Sequence, residues 1–134
     1  TEVVRAMQAE SVDLSGIILK IGFTLPGKET VSDANPLDYQ DIATRTLSVI
    51  RDILPADLKT VVFLSGGLTI PQSTECLKAI NAIASDNDPI LSASYGRGVQ
   101  AEALKKFATG DHVGTQQEFL NATQTNASVL RSNK

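Results

Sequence analysis

The chain is poor in the residues that would tie it to several functional classes. Cysteine occurs once, as Cys76, so no intrachain disulfide is available, which suits a reducing compartment. Histidine also occurs once: His112, in Thr109-Gly110-Asp111-His112, reads as a solvated residue in a turn between helices. With no second His or Cys at ligand spacing, a zinc site is not expected. Basic residues are not in excess: 12 Lys and Arg against 15 Asp and Glu leave a formal charge of −3, and they are scattered. That argues against nucleic acid as a partner. Long apolar runs are missing too, for Gly16 to Leu19 and Val61 to Leu64 fall far short of a membrane span. Nor does a charged leader with an apolar segment and a small-residue cleavage site open the chain, so a cytoplasmic enzyme or enzyme fragment is expected.

What the chain does have is the make-up of one ordinary globular domain: 134 residues, 42% hydrophobic and 20% charged. Three short apolar runs, Gly16 to Leu19, Thr60 to Leu64 and Pro89 to Ser94, lack alternation with charged residues. That pattern predicts strands buried on both faces of a parallel sheet. Each run is followed by turn residues and then by a helical period. A first helix is predicted from about Pro36 to Leu54, with Asn35-Pro36 as its start, Leu54-Pro55 as its stop, and Ile42, Leu47, Ile50 and Leu54 on one face. A second follows Thr69-Ile70-Pro71, proline suiting the first turn, with Leu77, Ile80, Ile83 and Ala84 as its apolar positions. A third follows Gly98, carries Val99, Ala103, Leu104 and Phe107 on one stripe, and stops near Gly110. A fourth spans Thr115 to about Leu130. Repeated strand–helix units imply parallel strands, and three strands are too few for a closed barrel or a complete doubly wound sheet. The α/β pattern reads as a piece of something larger.

In α/β folds, ligand groups gather where strands end. Lys20 closes the first apolar run, which would hold its stem in the interior and its amine at the strand's carboxyl end. Desolvation or a neighbouring cation there frees an amine to attack a carbonyl. A lysine reaching from a strand end into solvent is the commoner arrangement. Ser65-Gly66-Gly67 follows the second run and offers a hydroxyl with two close-approach positions for a phosphate. Ser94-Tyr95-Gly96-Arg97 follows the third and adds a hydroxyl, a further glycine and a guanidinium. Each alone is an ordinary turn; adjacent, they match the phosphate site found after the last two strands of (βα)8 barrels.

These residues carry a resemblance. Leu14-Ser15-Gly16-Ile17-Ile18-Leu19-Lys20 resembles the segment of class I fructose-bisphosphate aldolases that ends in the Schiff-base lysine. Thr24-Leu25-Pro26-Gly27, Val62-Phe63-Leu64-Ser65-Gly66-Gly67 and Ser92-Ala93-Ser94-Tyr95-Gly96-Arg97 resemble that family's next stretches, in order and spacing. The helix Val99-Gln100-Ala101-Glu102-Ala103-Leu104-Lys105 is similar to the one after its last strand. The resemblance implies the C-terminal three strand–helix units, plus a tail helix, of one (βα)8 TIM-barrel domain spanning residues 1–134. It implies reversible cleavage of fructose 1,6-bisphosphate to dihydroxyacetone phosphate and glyceraldehyde 3-phosphate in glycolysis and gluconeogenesis. Lys20 would form the iminium; Ser65, Gly66, Gly67, Ser94, Gly96 and Arg97 would hold the phosphate and orient the sugar. No metal or other cofactor is implied, since the protonated imine is itself the electron sink. The implied partners are the sugar phosphate, the remainder of the barrel and further copies in a homotetramer.

The chain departs from the family pattern at Ile21, where proline is usual, at Ser15, where an acidic residue is usual, and at the tail Arg131-Ser132-Asn133-Lys134, where a tyrosine is usual. The family's acid–base carboxylates and its additional catalytic lysine lie on earlier strands that this chain does not contain. An inactive fragment or diverged copy with a binding or scaffold role is the alternative. Cys76 reads as a small apolar helix residue, and Glu2, Glu10 and Asp13 as solvated charges. Asn121-Ala122-Thr123 and Asn126-Ala127-Ser128 read as chance matches to the glycosylation pattern.

Overall fold

Three strands, β1 (Ile18–Ile21), β2 (Thr60–Phe63) and β3 (Ile90–Ala93), pair in parallel in that order. The computed structural model describes residues 2–32 and 36–130. Lys20 stands opposite Val62, and Val62 opposite Ser92, so one row crosses the whole sheet. Five α-helices are described: α1 (Glu2–Ala9), α2 (Tyr39–Ile53), α3 (Ile70–Ile83), α4 (Gly96–Ala108) and α5 (His112–Ser128). The α/β class and the parallel arrangement are those the sequence predicts.

Val61, Phe63 and Leu91 point from one face of the sheet into a core completed by Ile42, Leu47 and Ile50 of α2 and Leu77 and Ile80 of α3. Removing that apolar area from water is the main force holding helices to sheet. Phe23, in the segment after β1, stacks on Phe63 with ring centroids 4.3 Å apart and planes 11° apart. Cys76 is fully buried among these groups, as expected, and burial pushes its thiol up to about 11. It is therefore an inert thiol at neutral pH.

The opposite face of the sheet is far less covered. Ile18 is 66% and Ile90 48% exposed, which corrects the expectation of strands buried on both sides. The apolar runs have the composition of doubly covered strands, but among the described residues helices pack on one face only.

Element ends differ from the sequence reading for local reasons. Leu14–Gly16 form a 3₁₀ turn whose cap is Asp13, accepting from the Ser15 amide at 3.0 Å and its hydroxyl at 2.7 Å. The strand therefore starts at Ile18 and runs one residue beyond Lys20, to Ile21; Asp13 is exposed, as expected, and caps the turn as well. Helix α2 begins at Tyr39, capped by Asp38, which accepts from the amides of Gln40 and Asp41. Pro36 is outside that helix, and Asn35 lies outside the described residues. Helix α3 starts as predicted: Thr69 caps it, and the reciprocal Thr69–Gln72 pair forms a capping box. Helix α4 starts three residues earlier than expected, at Gly96, and its supposed stripe is only partly inward: Ala103 is buried but Leu104 and Phe107 are 58% and 57% exposed. Helix α5 starts at His112, with Asp111 as cap, so His112 is helical and its ring meets Phe107 edge-on at 5.6 Å. Asn126, within a glycosylation pattern, is buried and accepts from the Thr74 hydroxyl at 3.0 Å. Helix α1 was not foreseen; only Val4 of it is buried.

At the amino-terminal end of the sheet, Arg51 of α2 makes two charge-assisted bonds, 2.8 and 2.7 Å, to Asp88 just before β3. The Arg51 guanidinium, with help from the Ser85 amide and hydroxyl, holds the Asp88 carboxyl well below the usual carboxylate range. A depressed folded-state pKa contributes stability above the unfolded pKa, and that stability is lost as pH falls. The loss is expected to begin near the ordinary value of about 4 and to continue below it. Asp88→Asn is accordingly expected to lower the melting temperature at pH 7 by a few degrees and to flatten its fall in acid. Melting curves of both proteins across acidic pH check this; parallel curves would remove Asp88 from the acid response.

Candidate functional site

The carboxyl ends of the three strands bring together residues far apart in the chain. Within β1, Leu19 and Ile21 turn toward the helices, so Lys20 lies on the open face and is exposed. Its Nζ donates to the Ser94 hydroxyl, 3.1 Å away and 74 residues distant. Ser94 is placed by backbone pairing, because its amide donates to the Phe63 carbonyl at 2.8 Å. The Leu64 amide likewise donates to the Ile21 carbonyl at 2.8 Å, extending the β1–β2 pairing one residue past Lys20.

The segment after Lys20 is fastened twice more. Phe23 stacks on Phe63, and the Thr24 amide donates to the Thr46 hydroxyl of α2 at 2.9 Å. The lysine thus projects from a strand whose following loop is tied to both β2 and α2. A rigid stem matters for an amine that must meet a carbonyl in one orientation.

After β2 the chain turns through Ser65, Gly66 and Gly67, the glycines at φ 60° and 91°. Positive φ at two successive positions favours glycine, and without side chains there the turn's backbone amides stay open to a close-approaching anion. A side chain at Gly66 would be strained by that φ and would also sit 3.3 Å from Leu64 Cδ1. Both glycines are exposed, and Ser65 is half-buried.

After β3, Ser94 leads into Tyr95 and then α4. Tyr95 is the N-cap residue of α4 but supplies no side-chain cap, whereas α2, α3 and α5 are capped by Asp38, Thr69 and Asp111. The first-turn amides of α4 are therefore left to other acceptors. Gly96 and Arg97 are the first two residues of that turn, and both are exposed. A Cβ built on Gly98 would lie 3.6 Å from Ser65 Oγ, so the second-strand turn and the start of α4 adjoin. Tyr95 itself is buried and turns inward: its hydroxyl donates to the Ser73 carbonyl of α3 at 3.0 Å. Burial drives the phenol well above its ordinary pKa, which keeps it a donor at any physiological pH.

The Lys20–Ser94 contact and the proximity of Gly98 to Ser65 thus gather the residues singled out from the sequence. Gly66, Gly67, Gly96 and Arg97 occupy the two turns so brought together. Sequence reasoning missed Thr46, Phe23 and Tyr95 as supports of the site. The first was hidden because a helix threonine carries no sign of its distant amide partner. Among the described residues no group of three His, Cys, Asp or Glu side chains stands together, and no helix is long and apolar enough to cross a membrane.

The family model described as fructose-bisphosphate aldolase class-I matches residues 1–133. The chain belongs to that family. Among its aldolase relatives is the probable class 1 fructose-bisphosphate aldolase of Xylella fastidiosa, 39% identical over 106 residues, covering 77% of this chain and 30% of the relative. Fructose-bisphosphate aldolase B of Sparus aurata is 32% identical over 126 residues, covering 92% of this chain and 34% of the relative. Among solved aldolases, that of Plasmodium falciparum, crystallised with TRAP and a small-molecule inhibitor, superposes with a TM-score of 0.85 at 27% identity. The superposition covers 98% of this chain and 38% of that one, so the three-stranded sheet and its helices match part of an aldolase barrel. The chain spans about a third of the length of the curated aldolases it matches.

Proposed function

We propose that residues 1–134 are the C-terminal part of a TIM-barrel aldolase domain and carry the imine-forming half of its active site. The observation that carries this reading is the 3.1 Å contact of Lys20 Nζ with Ser94 Oγ on the open face of the sheet, beside two glycine-bearing turns. The free amine of Lys20 attacks the ketone carbon of fructose 1,6-bisphosphate; loss of water leaves a protonated imine. Cleavage of the neighbouring carbon–carbon bond sends its electron pair into that imine and releases glyceraldehyde 3-phosphate, leaving an enamine. Protonation and hydrolysis then free dihydroxyacetone phosphate and restore the lysine. Ser65, Gly66 and Gly67 hold the phosphate with their amides and hydroxyl, while Ser94, Gly96 and Arg97 close the anion site from α4.

The proton transfers belong to groups on strands outside this chain, so turnover requires the remainder of the barrel, in the same gene product or in a second polypeptide. A homotetramer in the cytosol is the expected setting, in keeping with relatives such as the cytosolic aldolase 4 of Arabidopsis thaliana. The competing reading, a diverged copy kept for binding, draws on Ile21 and Ser15, where the sequence departs from the family pattern.

Treating the purified chain with dihydroxyacetone phosphate and borohydride, then mapping its peptides, separates these readings. A reduced adduct confined to Lys20, with no cleavage of fructose 1,6-bisphosphate by the chain alone, is the expected result. An adduct on another lysine, or none, would remove the catalytic assignment; robust turnover by the lone chain would remove the need for other strands.

A further inference from the structure

The proposed anion site is built from two turns that are not consecutive in sequence, and something must hold one against the other. Backbone pairing of β2 and β3 fixes them only as far as Ser94, whose amide bonds to Phe63. Beyond that point the second turn leaves the sheet and becomes α4 at Gly96. The first turn leads through Thr69 into α3 at Ile70. Tyr95 reaches from the second turn into α3: it is 6% exposed, and its hydroxyl donates to the Ser73 carbonyl one turn into that helix.

We infer that Tyr95 is a positioning residue that sets the Ser65–Gly67 turn and the first turn of α4 at the spacing a phosphate group requires. The inference rests on the anion-site reading above. Three observations support it. The Tyr95–Ser73 bond spans 22 residues and joins the start of α4 to α3, the helix into which the Ser65–Gly67 turn leads. Tyr95 is the residue between Ser94 and Gly96, so a ring held in the core fixes the backbone position from which both leave. Directly beside it, Gly98 brings α4 against the first turn: a Cβ there would meet Tyr95 Cβ at 3.4 Å and Ser65 Oγ at 3.6 Å. The bond is also not needed to satisfy its acceptor, because a carbonyl inside α3 faces the helix amide four residues on. A buried phenol held there for stability alone has a cheaper isostere in phenylalanine.

The test uses the chain as it stands, with inorganic phosphate as ligand and the amide resonances of Gly66, Gly67 and Arg97 as readout. Tyr95→Phe is expected to raise the phosphate Kd by about tenfold, since a displacement of less than an ångström is enough to spoil such a site. Thr74→Val serves as the control. It removes the hydroxyl's bonds to buried Asn126 and to the Ile70 carbonyl, neither of them within Ser65–Gly67 or to Tyr95, so it reports on stability. It is expected to lower the melting temperature and leave the phosphate Kd unchanged. Gly98→Val, whose γ-methyls extend beyond a Cβ already in van der Waals contact with Tyr95 and Ser65, is expected to press the turns apart and weaken phosphate as Tyr95→Phe does, and decides the matter should Tyr95→Phe not fold. Phosphate binding by folded Tyr95→Phe, or by Gly98→Val alone where Tyr95→Phe is unfolded, at the wild-type Kd overturns the positioning role. A wild-type chain that shifts none of the three amides on titration overturns the anion-site reading itself, and the inference with it.

Discussion

Lys20→Met is expected to abolish the borohydride-trapped adduct and, in an assembly supplying the remaining strand–helix units, to lower turnover by on the order of 10⁵-fold. The size follows from the kind of step removed. Without an amine there is no imine, and without an imine the electrons of the breaking carbon–carbon bond have no acceptor. The fold should not notice. Lys20 is exposed, its backbone pairing is unaffected, and Ser94, to which it donates, keeps its own amide bond to Phe63. Methionine fits the strand and keeps a stem of similar length. Intact-mass measurement after reduction and a coupled cleavage assay read the two effects. An adduct that survives in Lys20→Met means another lysine carries the chemistry, and the site built around β1 is then wrong.

The second large effect is on stability. Phe63→Ala is expected to cost about 3–5 kcal/mol, the usual range for emptying a buried phenylalanine site. That is a large part of the 5–15 kcal/mol by which domains are typically stable. Phe63 is fully buried, lies at the centre of the core, and stacks on Phe23. The substitution also reaches the site, because Phe23 anchors the segment after Lys20 and the Phe63 backbone holds Ser94. Phe63→Leu keeps most of the volume and should cost far less. Urea unfolding of the three proteins checks the order; a cost under about 1 kcal/mol for alanine would mean the ring is not packed as described.

Much of the frame is legible in the sequence because the physics is local. The α2 face Ile42, Leu47, Ile50 and the Thr69-Ile70-Pro71 start of α3 follow from helical period and capping, which act within one or two turns. The glycines after β2 announce a turn for the same reason. Harder cases share a cause: their decisive partner is remote. The Lys20–Ser94 contact depends on register across three strands, and no spacing along the chain encodes it. The early start of α4 was hidden because two glycines argue against a helix and Tyr95 offers no cap. The exposure of Ile18 and Ile90 depends on which face the helices cover, and apolar composition is silent on that. Helix α1 buries one residue, too few to mark a stripe. At α5 a usable signal was present: Asp111 accepts from the Gly114 amide at 2.8 Å, the acid-before-helix pattern already used by Asp38 in α2.

The order of the sheet, β1-β2-β3, has a consequence for how such a protein is made. Every strand lies beside its neighbour in the chain, so no strand is inserted between two that are already in place. A growing polypeptide can lay down one strand–helix unit, then the next, each finding its docking edge on the unit just finished. The order of synthesis is then the order of construction. A gene for such a barrel can also be divided at a loop, and each product retains a continuous run of neighbouring strands.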